Sequence, residues 1–262
     1  MSNNSCRSPS LPVRYEEGLL KFRTHQYAEA FLMRDSRVGF IRKVYLSLAC
    51  QLLFTAGAVV LTTQRKAELL PWLLAGERQG RLGAVMYGGM AIAISSLLAL
   101  QVKAFKGFGP TLALLTLFTV GESMMVSIIT LFFKARSVYM GLIQTAVATL
   151  GLSLYAFQTN PKYDLTGVGQ ALASGLLVLL MFGILRIAFP GTFGGTDLLY
   201  SSFGAGLFSL FIVYDTQRVI GGKHRQVDQV DRKDWALGSV ALYTDVLQLF
   251  IHLLHIFGSR EQ

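Results

Sequence analysis

Two aspartates lie inside runs apolar enough to be buried in lipid, Asp215 in LFSLFIVYDTQRVI and Asp245 in ALYTDVLQLFIHLLHIF. A carboxylate at membrane depth costs roughly 2.5–3.5 kcal/mol on insertion scales, so each needs a partner, a proton or a function. Asp215 falls about five residues before the end of one apolar run and Asp245 about nine after the start of the next; at about 1.5 Å per residue both lie in the same third of the membrane. Adjacent antiparallel helices would bring them together. Two carboxylates in contact at low dielectric cannot both be ionised cheaply, so such a pair shares one proton and is a candidate pH sensor. The other arrangement open to them is separate hydrogen bonding to Tyr214, Thr216, Tyr243 or Thr244, which would only set helix register.

A third acid, Glu122 in LFTVGESMMVSII, is too far from either end of its run to snorkel. It must face the bundle interior, carry a proton or pair with a base. Asp245, Gln248, His252 and His255 recur at helical spacing, with His252 returning nearly to the azimuth of Asp245, so this stripe is a candidate lining for a water path. A histidine there adds a group that titrates near neutral pH, or is held in the core by a backbone carbonyl. A dedicated metal site from Glu122, His252 and His255 lacks the usual short ligand motifs. Lys103 and Lys106 stand where a long basic side chain either reaches Asp215 or Asp245 or snorkels to the headgroups.

The elements that must position these residues are membrane helices. The chain has 262 residues, of which 52% are hydrophobic and 15% charged, and a mean hydropathy of +0.48, which excludes an ordinary soluble domain. Apolar segments near the bilayer-crossing length fall at about 41–63, 82–102, 110–132, 137–157, 167–189, 197–220 and 236–257. An all-α bundle of seven transmembrane helices follows. Gly109-Pro110, Asn160-Pro161, Pro190-Gly191 and Gly221-Gly222 punctuate the spans, and Asp234 is placed to cap the last. Gly88, Gly89, Gly141, Gly151, Gly175, Gly183, Gly204 and Gly206 offer close helix contacts. Residues 1–37 form a polar tail, mobile over its first part, residues 38–258 the membrane domain, and residues 259–262 a short C-terminal tail.

The net charge of +9 does not imply nucleic acid, because the basic residues are dispersed in short clusters between apolar runs. They collect about twice as heavily on the side of the N-terminus as on the other, which makes the N-terminus cytosolic. Cys6 and Cys50 provide no disulfide framework. No G-x-S-x-G or H-E-x-x-H run occurs, so an enzyme is not expected.

With FIRKVYLSLACQLLFTAG at the first span, LFTVGESMM at the third, FIVYDTQRVIGGKH closing the sixth and LGSVALYTDVLQLFIHLLHIFG across the seventh, the chain resembles the transmembrane Bax-inhibitor-motif family in its lifeguard branch. The resemblance covers about residues 38–258 and leaves the N-terminal tail outside. It implies a bundle with the last helix central between two three-helix layers. It also implies a pH-sensitive calcium leak through the endoplasmic reticulum, Golgi or another endomembrane, linked to suppression of cell death and stress signalling. The family's aspartate pair matches Asp215 and Asp245, and the basic residue that holds its closed state lands on Lys103. That residue is arginine in bacterial relatives, so lysine here loses bidentate geometry. His255 stands where an arginine is often found, replacing a fixed charge with one that titrates.

The resulting expectation is a calcium-permeable leak channel gated by protonation of Asp215 and Asp245, with Glu122, Gln248, His252 and His255 along the conduit. Oxygen ligands from the pair would hold calcium transiently; calcium is the permeant ion, and no cofactor is expected. Membrane lipid, protons and cell-death or stress regulators are the other expected partners. Two different classes remain open: a proton-coupled transporter using the same acids, and a non-conducting scaffold that binds regulators through its tail and loops.

Overall fold

The computed structural model describes residues 13–75, 80–102, 107–158, 163–189, 195–221 and 235–260, with side chains from Val38 onward. The described residues form eight α-helices: α1 (Val13–Gln64), α2 (Lys66–Leu74), α3 (Gly80–Gln101), α4 (Phe108–Thr130), α5 (Ala135–Ala156), α6 (Gly169–Ala188), α7 (Asp197–Ile220) and α8 (Trp235–Phe257). Seven are long and apolar enough to cross a membrane, the first over Val38–Gln64. The chain is a multi-pass membrane protein. The span limits follow the hydropathy closely; the largest displacement is at the first span, which begins at Val38 rather than 41.

Lipid is the reason helices are used throughout, since only an intrasegment ladder satisfies every backbone group without water. The ladders stop where the sequence forces them to. Gly221 ends α7 at φ 64°, a left-handed conformation that costs glycine least. The backbone of α1 is already helical from Val13, where the composition had suggested a mobile tail. Residues 13–37 contain one glycine and no proline, so little in them breaks a helix continuing from the span. The proposed cap Asp234 lies outside the described residues.

Helix α8 is the axis of the bundle. It packs against α1, α4, α5 and α7, and 56% of its most apolar stretch is buried, against 11% for the span formed by α6. Helices α1, α3 and α4 form one layer around it, and α5, α6 and α7 the other. The outward faces are apolar where they meet lipid, as Leu177, Leu180, Met181 and Ile184 do on α6. Because lipid is as apolar as leucine, the layers cohere by close packing. A methyl group on Gly121 of α4 would sit 2.6 Å from the Gly89 carbonyl oxygen of α3, so Gly121 has no room for a side chain, and one on Gly89 would be tight, at 3.0 Å from the Gly121 carbonyl oxygen. Gly141, Gly175, Gly183 and Gly204 also meet a neighbouring helix. Gly88, Gly151 and Gly206 do not; they face open space, so the expectation of contact fails at those three. Gly88 and Gly89 differ by about 100° around one helix, which is enough to separate an interface from lipid.

On the side opposite Val38, Ser259 and Arg260 are held against the turn between α4 and α5. The Lys134 amide donates to the Ser259 carbonyl at 3.0 Å, the Ser259 amide donates to the Ser137 hydroxyl at 3.0 Å, and Phe133 and Arg260 form an antiparallel bridge.

Candidate functional site

Asp215 on α7 and Asp245 on α8 come together in the interior, at 8% and 6% exposure, close enough for their carboxyl groups to interact. Two ionised carboxylates repel at low dielectric, and a single proton between two such groups relieves that repulsion. Asp215 has a second partner: the Arg218 guanidinium, one turn on, donates from Nη1 to Oδ1 at 3.2 Å and lies 5.5 Å over the Tyr214 ring. Asp245 has no such cation, and its Oδ2 is buried without a hydrogen-bond partner. The Arg218 Nε is buried and unpaired too. On the same side of the bundle, the Tyr45 hydroxyl of α1 and the Thr216 hydroxyl of α7 face each other without closing a well-formed hydrogen bond.

The residue after Thr216 anchors this region. Gln217 accepts from the Leu165 amide at 2.8 Å and donates to the Tyr163 carbonyl at 3.0 Å, tying α7 to the segment between α5 and α6. That segment is itself shaped by Asp164, whose Oδ1 takes both the amide and the hydroxyl of Thr166.

The opposite face of α8 carries a second polar cluster that the sequence reading missed. The Ser239 hydroxyl donates to Gln51 Oε1 at 2.6 Å, and Gln51 Nε2 donates to the Thr119 hydroxyl at 3.0 Å. The Thr55 hydroxyl is 2.8 Å from that of Ser123 and 2.7 Å from that of Tyr243, and also donates to the Gln51 carbonyl. Three helices contribute one i, i+4 pair each: Gln51 and Thr55 from α1, Thr119 and Ser123 from α4, Ser239 and Tyr243 from α8. That repeated spacing puts both members on one helix face and was the available signal. Tyr243, a sequence candidate for bonding an aspartate, instead serves this cluster.

The remaining candidates are dispersed. Glu122 is half-buried in the middle of α4, on the electrostatic periphery of Tyr243 and not at the aspartate pair. Gln248 is half-buried on α8. His252 is buried among rings, 5.7 Å from Phe208 and 5.6 Å from Tyr200, with its imidazole pressed against Gly204. Arg186 lies 5.0 Å over the Tyr200 ring and pairs with Asp197. His255 Nδ1 bonds the Ile251 carbonyl at 2.7 Å, and its ring meets Phe133 edge-on at 5.3 Å. Among the described residues no three His, Cys, Asp or Glu side chains gather, so Glu122, His252 and His255 do not form a ligand set. Lys103 and Lys106 lie outside the described residues. Within them, the cation beside the pair is Arg218, which pairs with Asp215 and was not among the sequence candidates.

Comparison with known proteins agrees with this architecture. The family model described as inhibitor of apoptosis-promoting Bax1 matches residues 37–262. Human protein lifeguard 3 is 30% identical over 87% of this chain and 71% of its own length. Mouse protein lifeguard 4 is 30% identical over 83% of the chain and 84% of its own. Protein LIFEGUARD 3 of Arabidopsis thaliana is 30% identical over 97% and 98%. With its seven spans, its central last helix and a match that runs from the first span to the C-terminus, the chain belongs to the Bax-inhibitor family that includes the lifeguard proteins.

Proposed function

We propose that this protein is a pH-sensitive calcium leak channel of an endomembrane, gated by the shared proton of Asp215 and Asp245, with its N-terminus in the cytosol. The observation that carries the reading is the carboxyl contact between α7 and α8 beside buried polar atoms with no partner. A shared proton holds the two helices together; its loss leaves two negative charges in contact and drives them apart. Separation would open a site of carboxylate oxygens suited to calcium. The conformation described here is the closed one in this scheme: Tyr200, Phe208 and His252 fill the space between α7 and α8 on the far side of the pair.

Membership of a family described as inhibitors of apoptosis-promoting Bax1 supports a role as a membrane regulator of cell death. The leak is the means we assign to that role. The test is calcium release from proteoliposomes across pH: wild-type protein gives a pH-dependent rate, and Asp215→Asn and Asp245→Asn give flat profiles. Unchanged profiles in both variants would reject the gate.

A second reading is favoured by the helical extension of α1 back to Val13, which offers a regular surface before the membrane begins. On that reading the protein is a scaffold for regulators. Deleting residues 1–36 would then abolish cell-death suppression while both aspartate variants retain it.

A further inference from the structure

On the outer surface of the bundle, near the end that carries Val38, α1 and α4 leave a groove of about 480 Å³. Its walls are Leu46, Cys50 and Phe54 from α1 and Phe108, Leu112 and Leu115 from α4. Lys43 and Trp235 stand at its mouth, and the Trp235 ring is 6.2 Å from that of Phe108. Gln51 and Thr119 form part of its floor and are hydrogen-bonded to each other. None of the described residues lining it is acidic.

The dimensions fit one leaflet. Lys43 to Phe54 is about 16 Å of helix at a 1.5 Å rise, about half of a hydrocarbon core of about 30 Å. The ammonium group therefore lies at headgroup level and Phe54 near the bilayer midplane. Trp235 fits the same depth, because tryptophan concentrates at the membrane interface. Arg42, next to Lys43, is exposed but does not line the groove, so Lys43 is the cation that faces it. Basic pockets between transmembrane helices are recognition sites for anionic headgroups.

We propose that this groove binds an anionic glycerophospholipid, with the headgroup phosphate on Lys43 and one acyl chain along Leu46, Cys50 and Phe54. The contrast with the other large cavity makes the charge decisive. That cavity, also about 480 Å³, opens between α1, α5 and α8 past Leu52, Ala56, Ile143 and Val246, and none of the described residues lining it is charged. It accepts a hydrocarbon chain with no preference for a headgroup. The groove at Lys43 selects one.

Cys50 supplies a probe, since its thiol is free and exposed within the groove. Cys6 is the only other cysteine in the chain, so a Cys6→Ser protein has a single thiol. The purified 262-residue chain in neutral detergent is reacted with a maleimide in the presence of phosphatidylserine or of phosphatidylcholine with identical chains. Phosphatidylserine should protect Cys50 at concentrations about fivefold lower, the factor expected of one basic residue near a membrane surface. Lys43→Gln should abolish that difference, and Leu46→Trp should slow the reaction without added lipid by filling the groove. Circular dichroism and elution volume check that each variant is folded. Native mass spectrometry of the wild-type protein, which needs no variant, should retain phosphatidylserine over phosphatidylcholine. Equal protection by the two lipids, or selectivity that survives Lys43→Gln, overturns the proposal. Protection by inorganic phosphate as strong as by phosphatidylserine would overturn it as well, by making the site one for a free anion.

Discussion

Helix α8 carries two polar clusters at similar depth on opposite faces. Tyr243 and Asp245 are two residues apart, about 200° around the helix, so one turns toward α1 and α4 and the other toward α7. On the Tyr243 face, the hydroxyl and amide groups are neutral and joined in a continuous hydrogen-bonded chain from Ser239 through Gln51 to Thr119, with Thr55 linking Ser123 and Tyr243. On the Asp245 face, two carboxyls and a guanidinium leave two of their own polar atoms without a partner, Asp245 Oδ2 and Arg218 Nε. A satisfied neutral network fixes a packing arrangement. A charged one left incomplete is a place where adding or removing a proton or an ion changes which packing is favoured. The same helix therefore serves as a fixed wall on one side and a movable one on the other.

This contrast can be broken most forcefully at the carboxyls. Asp245→Asn should leave calcium release flat between about pH 6 and about pH 8, where the wild type varies, because the amide cannot exchange a proton. A pH-dependent rate that persists would erase the functional difference between the two faces. Next in size is Thr55→Val, which strips a partner from both Ser123 and Tyr243; unfolding in detergent should show a loss of about 2 kcal/mol. Its pH profile for calcium release should match the wild type. Arg218→Gln acts through an ion pair that is one-third exposed on the arginine side, 32%, and so is worth at most about 1 kcal/mol. With the guanidinium gone, the ionised pair loses its counter-charge, so the separated, open arrangement is disfavoured and efflux at neutral pH should fall by up to about fivefold. The smallest effect sharpens the comparison best. Tyr45→Phe and Thr216→Val remove hydroxyls that make no well-formed bond, so each should shift stability by no more than about 0.5 kcal/mol, well below Thr55→Val in the same assay.

Much of this architecture was legible from the residues. Helix limits were readable because lipid demands about 20 apolar residues and because Gly221 is one of few residue types that can end a helix in the left-handed region. The aspartates could be singled out because an acid in such a run is rare. What was not legible depends on which helices become neighbours. The i, i+4 pairs at Gln51, Thr119 and Ser239 acquire meaning only when α1, α4 and α8 meet. Arg218 lies near the end of its span, where a basic residue is ordinary; the bend of its side chain back over Tyr214 is what puts it on Asp215. Gly88 and Gly89 are indistinguishable in a composition, yet only Gly89 faces α4. His252 occupies its expected helical position, but the rings of Tyr200 and Phe208 around it come from another helix.

Gln217 has a mechanical implication. Its side chain is fastened at both ends to the backbone of Tyr163 and Leu165, and it lies two residues from Asp215 on the same rigid helix. Any displacement of α7 that parts the carboxyls must drag that short stretch along or snap both bonds. A fluorophore or spin label at Tyr163 would thus act as an external dial, reading a movement deep in the membrane from a position half open to solvent.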